Sequence, residues 1–288
     1  MSKIEFDPIK FKDDQRKSWD SAATGWDKWW PIFERAGEPV SRRLLELAFV
    51  QKGDRVLDIA TGVGEPALTA AKIVGKEGFV IAADQSGEML KMARDRAKLQ
   101  GITNVDFRET DCEEIKLDDN SLNAIICRWG FMFMPNLNDT LNRLYNALKP
   151  GGSISAAVWS NPQKVPIVSF VISSLSEIIE IPKPPDGTPN PFCLSDTNKL
   201  ETIFKQSGFT GIHIEKMNVK FVLSSIEDYT NYIKDISSHL KAIFKDKSVD
   251  EKNEIWKHFK NSAKKLAKSD GSIHMDNETI CIAAQKRE

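Results

Sequence analysis

From residue 53 to about residue 160, short apolar, β-branched runs alternate with segments whose apolar positions recur every three to four residues. "RVLDIA" (55–60) reads as a buried strand and "EPALTAAKIVG" (65–75) as the helix behind it. Pro66 suits the first helical turn, where a missing N–H costs nothing, and Gly75 suits the stop. "GFVIAAD" (78–84) is the next strand, followed by a helix over 86–100 with Ser86 as its N-cap and Gly101 after it. "NVDFRETD" (104–111) alternates as a strand does, and "LNAIICRW" (122–129) is continuously apolar. "LNDTLNRLYNALK" (137–149) predicts an amphipathic helix ended by Pro150-Gly151-Gly152, and "SISAAVWS" (153–160) a fifth strand. Strands and helices in this order predict an α/β fold with a parallel sheet covered on both faces.

Beyond residue 160 the pattern loosens. "IVSFVISSLSEIIE" (167–180) is a helical run between proline-bearing loops, and 196–208 predicts a helix capped by Gly208. "GIHIEKMNVKFVL" (211–223) alternates, but its parity slips near Lys216, which predicts a bulge or bend. Residues 226–268 are helical in pattern, with Trp256, Phe259, Ala263 and Leu266 near one face, and "ETICIAAQ" (278–285) is a last strand. The first 50 residues are helical and rich in aromatics. The expected organisation is an N-terminal helical cap over 1–50, a core over 51–225 and 272–288, and a helical insert over 226–271.

Bulk composition narrows the function classes. Of 288 residues, 41% are apolar and 28% charged, as in soluble globular proteins. A net charge of −1 leaves no global footprint for nucleic acid. Residues 241–268 carry nine Lys against four Asp plus Glu, a local +5. That stretch is either the solvated face of a packed insert or a surface for membrane or an anionic substrate. Cys112, Cys127, Cys193 and Cys281 lie far apart, with no C-x-x-C and no histidine spacing suited to zinc, so reduced thiols and no metal are expected. With no signal peptide and no 18-residue apolar span, a soluble, cytoplasmic protein is the expectation.

The candidate chemistry centres on "RVLDIATGVGEPALTAA" (55–71). "GVGEPA" (62–67) satisfies G-x-G-x-x-A, and Asp84 follows Gly64 by 20 residues, suiting an acid that grips ribose hydroxyls. Those facts alone serve a nicotinamide dinucleotide or an adenosyl cofactor equally. Asp58 separates them. It ends the strand just before Ala60-Thr61-Gly62, where an acid repels a pyrophosphate but favours the sulfonium and ammonium of S-adenosyl-L-methionine. Asp111, ending the third strand in "TDCEEI", is placed to accept a hydrogen bond from an adenine amino group.

Together, "VLDIATGVGEPAL", "VIAADQSGEMLKMARDRA", "VDFRETDCEEI", "CRWGFMFM" and "LKPGG" resemble the class I S-adenosylmethionine-dependent methyltransferases, particularly the group around the ubiquinone/menaquinone-biosynthesis enzymes. The resemblance covers residues 53–160 well and the remainder loosely. It implies a Rossmann-like seven-stranded mixed sheet, order 3-2-1-4-5-7-6, its last strand antiparallel, with helices on both faces and 226–271 inserted between strands six and seven. It further implies Ala60, Thr61, Gly62 and Gly64 at the methionine end with Asp58 nearby, Asp84 on the ribose, and Gln85 and Met89 beside the adenosine. Asp111 and the Cys112 backbone would hold adenine, and Arg128 would sit where the fourth strand opens onto the cofactor. For Asp58 the alternative is a turn cap, and for Arg128 an ion pair.

"SWDSAATGWDKWWPIF" (18–33) resembles the family's N-terminal helix, whose aromatic residue, usually Tyr, closes over the cofactor; Trp26 stands there, with Trp29 and Trp30 following. Indole can donate its N–H or present a cation–π wall. "RWGFMFMP" (128–135) lacks the polar N/D-P-P-Y/F of amino-nitrogen methylases, so Trp129 and Phe133, with Trp29 and Trp30, are expected beside a small-molecule acceptor that is apolar or aromatic. The implied reaction is in-line methyl transfer to oxygen, carbon or nitrogen, with O- or C-methylation favoured. None of His213, His239, His258 and His274 is singled out as a base, and no catalytic residue is assigned. Two other functions stay open: a non-catalytic binder of S-adenosylmethionine or S-adenosylhomocysteine, and an NAD(P)-dependent dehydrogenase.

Overall fold

The computed structural model describes residues 5–237, 240 and 243–288, so His239, Lys241 and the first four residues of the expected cap lie outside the described residues. Seven strands form one sheet in the order β3-β2-β1-β4-β5-β7-β6: β1 (Arg55–Ile59), β2 (Phe79–Asp84), β3 (Val105–Glu109), β4 (Leu122–Arg128), β5 (Leu148–Trp159), β6 (Thr210–Leu223) and β7 (Ile273–Gln285). β1 to β5 pair in parallel and β7 runs antiparallel to β5. The order expected from the family resemblance is therefore the observed one. β1 lies between β2 and β4, with Asp58 opposite Ala82 on one side and Ile126 on the other. Strand order reverses there, so the exits of β1, β2 and β4 face one crevice, where open α/β sheets take ligands.

The chain forms two compact units: residues 38–161, 189–217 and 279–288, and residues 1–37, 162–188 and 218–278. In the first unit, α3 (Ala67–Val74) covers the sheet with Ala67, Ala70, Ala71 and Val74 against Val56, Val80, Ala82 and Ile126. Small alanines let the helix sit close, while α4 (Gly87–Leu99) buries Met89, Leu90, Ala93 and Ala97. α5 (Leu137–Ala147) ends earlier than its sequence pattern predicts. Leu148 already pairs with Leu122, so the chain enters β5 before Pro150, and the register shifts between Leu122 and Ala124. The slip expected near Lys216 falls one residue earlier. Ile212 and Ile214 share the half-buried side before it, and Glu215, Met217 and Val219 after it. Glu215 thereby meets Arg43, whose Nε and Nη2 donate to it at 2.7 and 2.9 Å. The guanidinium, aided by His213, lowers the carboxyl to about 2.

The second unit holds α1 (Pro8–Lys28), α6 (Pro166–Leu175), α8 (Ile226–Ile236) and a helix over Val249–Ala263, here α9. α1 and α8 touch at Gly25, where a Cβ would lie 2.4 Å from the Asp235 carbonyl oxygen. Trp29 Nε1 and Lys28 Nζ both donate to Asp235 Oδ2 at 2.8 Å. Phe170, Tyr229 and Phe259 pack ring against ring at 5.3–6.3 Å. Of the predicted apolar face, Phe259 and Ala263 are buried, whereas Leu266 lies in a 3-10 turn beyond the helix end. β7 starts earlier than the sequence pattern suggests, and within the added stretch Asn277 is buried, its Oδ1 accepting from Ile167 N and its Nδ2 donating to the Val219 and Met275 carbonyls. No helix among the described residues is long and apolar enough to cross a membrane.

Candidate functional site

At the exit of β1 the backbone turns sharply. Ala60 has φ +58, Gly62 +57 and Gly64 +112. A non-glycine residue in left-handed backbone costs about 1–2 kcal/mol, a strain that tends to be retained at sites. Thr61 holds the turn through its N–H to the Ala83 carbonyl and its own carbonyl to Gly64 N, both 3.0 Å. Arg96, from α4, donates to the Val63 carbonyl at 2.6 Å. A Cβ at Gly64 would press on Leu68 and Ala93 at 3.1–3.2 Å, whereas at Gly62 it would meet only Met89 Sδ at 3.9 Å. Gly64 is thus a packing glycine and Gly62 borders open space.

Asp58 is wholly buried and its Oδ2 accepts from Ala67 N at 2.9 Å, capping α3. Glu65 Oε2 accepts from Thr69 N at 3.1 Å, and the Leu68 and Ala70 amides donate to the Gly64 and Pro66 carbonyls. With Pro66 lacking an N–H, the first turn of α3 has no donor left for an anion, and two carboxylates stand beside it. Asp58 Oδ1 and Thr61 Oγ1 are buried without a partner in hydrogen-bond geometry. A carboxylate oxygen and a neighbouring hydroxyl in this state can take up a donor-bearing or positive group.

Burial raises the Asp58 carboxyl to about 7, while the nearby Thr61 hydroxyl and the positive charge of Arg128 oppose the rise. The folded protein therefore holds this proton more tightly than the unfolded chain does. The stability it contributes is complete below about pH 4 and lost as pH rises to about 7. Asp58→Asn is expected to flatten that fall, read as urea-unfolding free energies at several pH values across the window. Parallel profiles for the two proteins would assign the slope to other groups.

Asp84, 7% exposed at the end of β2, joins two turns: Oδ2 accepts from Gly62 N at 2.8 Å and Oδ1 from Ser86 N at 2.9 Å. Ser86 Oγ caps α4 through Met89 N, which places Met89 beside Gly62. Gln85, between them, is half-buried. Asp111 Oδ1 accepts from Glu113 N at 2.9 Å, and the buried Cys112 thiol points to the Ala83 carbonyl at 3.8 Å. Burial, then the Asp84 charge, keep Cys112 protonated, so it offers no thiolate. The four cysteines are free thiols.

Arg128, 8% exposed at the exit of β4, donates from Nη1 to Ser41 Oγ at 2.7 Å and lies 5.3 Å from the Trp129 ring centroid. Trp129 has φ +61, stacks on Trp159 at 4.4 Å and donates from Nε1 to Thr279 Oγ1 at 3.0 Å. Gly130 follows because any Cβ there would stand 2.6 Å from Ala60 Cβ and 2.8 Å from Cys127 Sγ. A 3-10 turn (Phe131–Phe133) buries Phe131 and Met132 and leaves Phe133 half-buried. Cys193 donates to the Met132 carbonyl at 3.1 Å.

The structure thus gathers Asp58, Ala60, Thr61, Gly62, Gly64, Asp84, Met89 and Arg128 around the strand exits, with Gln85, Asp111 and Cys112 on the loops that follow β2 and β3. Trp26, Trp29 and Trp30 belong to the other unit. There Trp26 packs on Phe33 at 4.6 Å with its indole N–H buried and without an acceptor, and Trp29 is buried against Tyr232. Ser41, Glu65, Arg96 and Glu113 escape a linear reading. Only Glu65 has a local signal, an acid just ahead of a helical first turn. His213 pairs with Glu215, His258 with Glu177 and Ser262, and His274 with Lys268, none of them residues of the strand exits. No group of three or more His, Cys, Asp or Glu among the described residues is arranged to hold a metal.

Residues 50–208 match the family profile of a methyltransferase domain. Over 122 residues the chain is 36% identical to the ubiquinone/menaquinone biosynthesis C-methyltransferase of Pseudomonas fluorescens, a match covering 42% of this chain and 48% of that one. The chain spans about half the length of such relatives. The crystal structure of YcgJ from Bacillus subtilis superposes with a TM-score of 0.58 at 17% identity, covering 87% of this chain and 99% of that one. Phosphoethanolamine N-methyltransferase 2 of Haemonchus contortus, solved with phosphomonomethylethanolamine and S-adenosylhomocysteine, gives 0.55 at 19% identity over 91% of this chain and 58% of that one.

Proposed function

The chain belongs to the methyltransferase-domain family, and from that premise we propose that it transfers a methyl group from S-adenosylmethionine to the carbon or oxygen of a small apolar, quinol-like acceptor. The observation that carries the choice of cofactor is the closed first turn of α3. Its amides are spent on Asp58, Glu65 and backbone carbonyls, so a pyrophosphate finds no donors there. The unpartnered Asp58 Oδ1 and Thr61 Oγ1 instead suit an ammonium or sulfonium. The acceptor class rests on the apolar Trp129–Met134 segment and on the quinone-pathway names of the relatives.

When bound, S-adenosylmethionine supplies a methyl group already activated by its positive sulfur. The protein's part is then to bind, align and exclude water. Asp58 and Thr61 would hold the methionine end, close to the bare backbone of Gly62. Asp84 would take the ribose hydroxyls. Gln85 and Met89 would flank the adenosine, with Asp111 and the Cys112 backbone at the adenine. Arg128 would steady Asp58 in its charged form. Trp129, Phe131 and Phe133 would keep water from the acceptor. Alignment of two reactants is worth about 7–11 kcal/mol, enough to carry most of the catalysis without an assigned base.

Calorimetric titration is expected to show micromolar binding of S-adenosylhomocysteine and none of NADH. Methyl-labelled S-adenosylmethionine should then label a water-soluble 1,4-naphthoquinol. Binding of NADH alone would make the protein a dehydrogenase. Cofactor binding without transfer to naphthoquinols, phenols or amines would make it a silent binder.

A further inference from the structure

Glu113 is only 2% exposed, yet it is a carboxylate outside every role described above. Its N–H donates to Asp111 Oδ1 at 2.9 Å. Its own Oε1 accepts from Asn136 N at 2.5 Å, and Oε2 from Asn136 Nδ2 at 3.2 Å. Asn136 stands at the N-cap of α5 but makes no side-chain cap to its own helix; its amide is turned to Glu113 instead. The 129–136 segment is therefore pinned at both ends. Trp129 holds one end through Ala157 and Thr279, and Glu113 holds the other.

We propose that Glu113 is a positioning residue that links the adenine-side loop after β3 to the acceptor-side segment after β4, so that filling the adenine site orders residues 131–136. The link is two hydrogen-bonded contacts joined through Glu113 itself: its amide donates to the Asp111 carboxylate, and its carboxylate accepts from Asn136, 23 positions further along the chain. A buried carboxylate is costly unless its oxygens are paired, and these two are paired by donors from a single residue. An apolar side chain in its place fills the space but fixes no direction. The carboxylate also favours the positive end of the α5 dipole, which keeps the start of that helix beside it. The inference rests on the cofactor assignment made above, with Asp111 at the adenine.

The test is amide hydrogen exchange with and without S-adenosylhomocysteine, which needs no acceptor. In the natural protein the ligand is expected to slow exchange over both 111–115 and 131–136, the latter by about fivefold or more. In Glu113→Gln, affinity for S-adenosylhomocysteine and the slowing over 111–115 persist, while the slowing over 131–136 falls away. A purely structural role would loosen both segments whether or not ligand is present. If Glu113→Gln does not fold, Asn136→Ala, which removes one of the two donors, should show a partial loss. Slowing over 131–136 that survives in the folded variant, or that never occurs in a natural protein that binds the ligand, overturns the proposal. A natural protein that does not bind S-adenosylhomocysteine overturns the function on which it rests.

Discussion

Asp84→Asn lowers the affinity for S-adenosylhomocysteine by about 10- to 100-fold while the sheet stays folded. The carboxylate can accept about four hydrogen bonds, and the amides of Gly62 and Ser86 donate to one oxygen each. Charge-assisted bonds from ribose hydroxyls to a carboxylate are worth about 1.5–3 kcal/mol. Asparagine keeps one acceptor oxygen but sets an N–H₂ against one of the two amides, so it loses ligand bonds and loosens one turn. Alanine is the poorer test. It strands the buried Ser86 amide, at about 1–3 kcal/mol, and frees the part-buried Gly62 amide, so it mixes unfolding with binding. Calorimetry and urea unfolding on the same preparation separate the two effects. Undiminished affinity in a folded Asp84→Asn protein would place the ribose elsewhere.

The two glycines of the turn should fail in opposite ways. Gly64→Val combines a φ of +112, open almost only to glycine, with contacts of 3.1–3.2 Å on Leu68 and Ala93. Backbone strain of about 1–3 kcal/mol and crowding of similar size predict a loss of about 2–6 kcal/mol, a large part of a domain's stability. Gly62→Ala sits at φ +57 and meets only Met89 Sδ at 3.9 Å. It should cost stability only about 1–2 kcal/mol. Its methyl group, however, would intrude on the space assigned to the cofactor, and S-adenosylhomocysteine should bind at least about tenfold more weakly, about 1.4 kcal/mol. Urea midpoints rank Gly64→Val as the unstable variant, and calorimetry ranks Gly62→Ala as the folded non-binder. The reverse ranking would mean that the crevice lies on the other side of the turn.

Much of this architecture is written locally. The alternation of apolar runs with helical periodicity identifies the first five strands, and Ser86 and Gly75 mark helix ends because capping depends on near neighbours. The glycine turn and Asp84 are legible for the same reason: motif and spacing lie within about one β-α-β unit. Asp58 is only half legible. Its position at the strand end points to a cation, and the structure adds that one of its oxygens caps α3 while the other has no partner.

Residues that work through distant partners leave no such trace. Arg128 meets Ser41 across 87 positions, Trp129 meets Thr279 across 150, and Glu113 meets Asn136 across 23. The early start of β5 is of the same kind, because Leu148 is drawn out of a helical pattern by its pairing with Leu122. The linear chain determined the alternating elements, the glycine turn and the acids at the strand ends, since hydrophobic period and turn chemistry act between neighbours. Which buried polar atom satisfies which, and which oxygen is left for a ligand, was decided only when the sheet brought distant strand ends together, because a hydrogen bond depends on proximity in space.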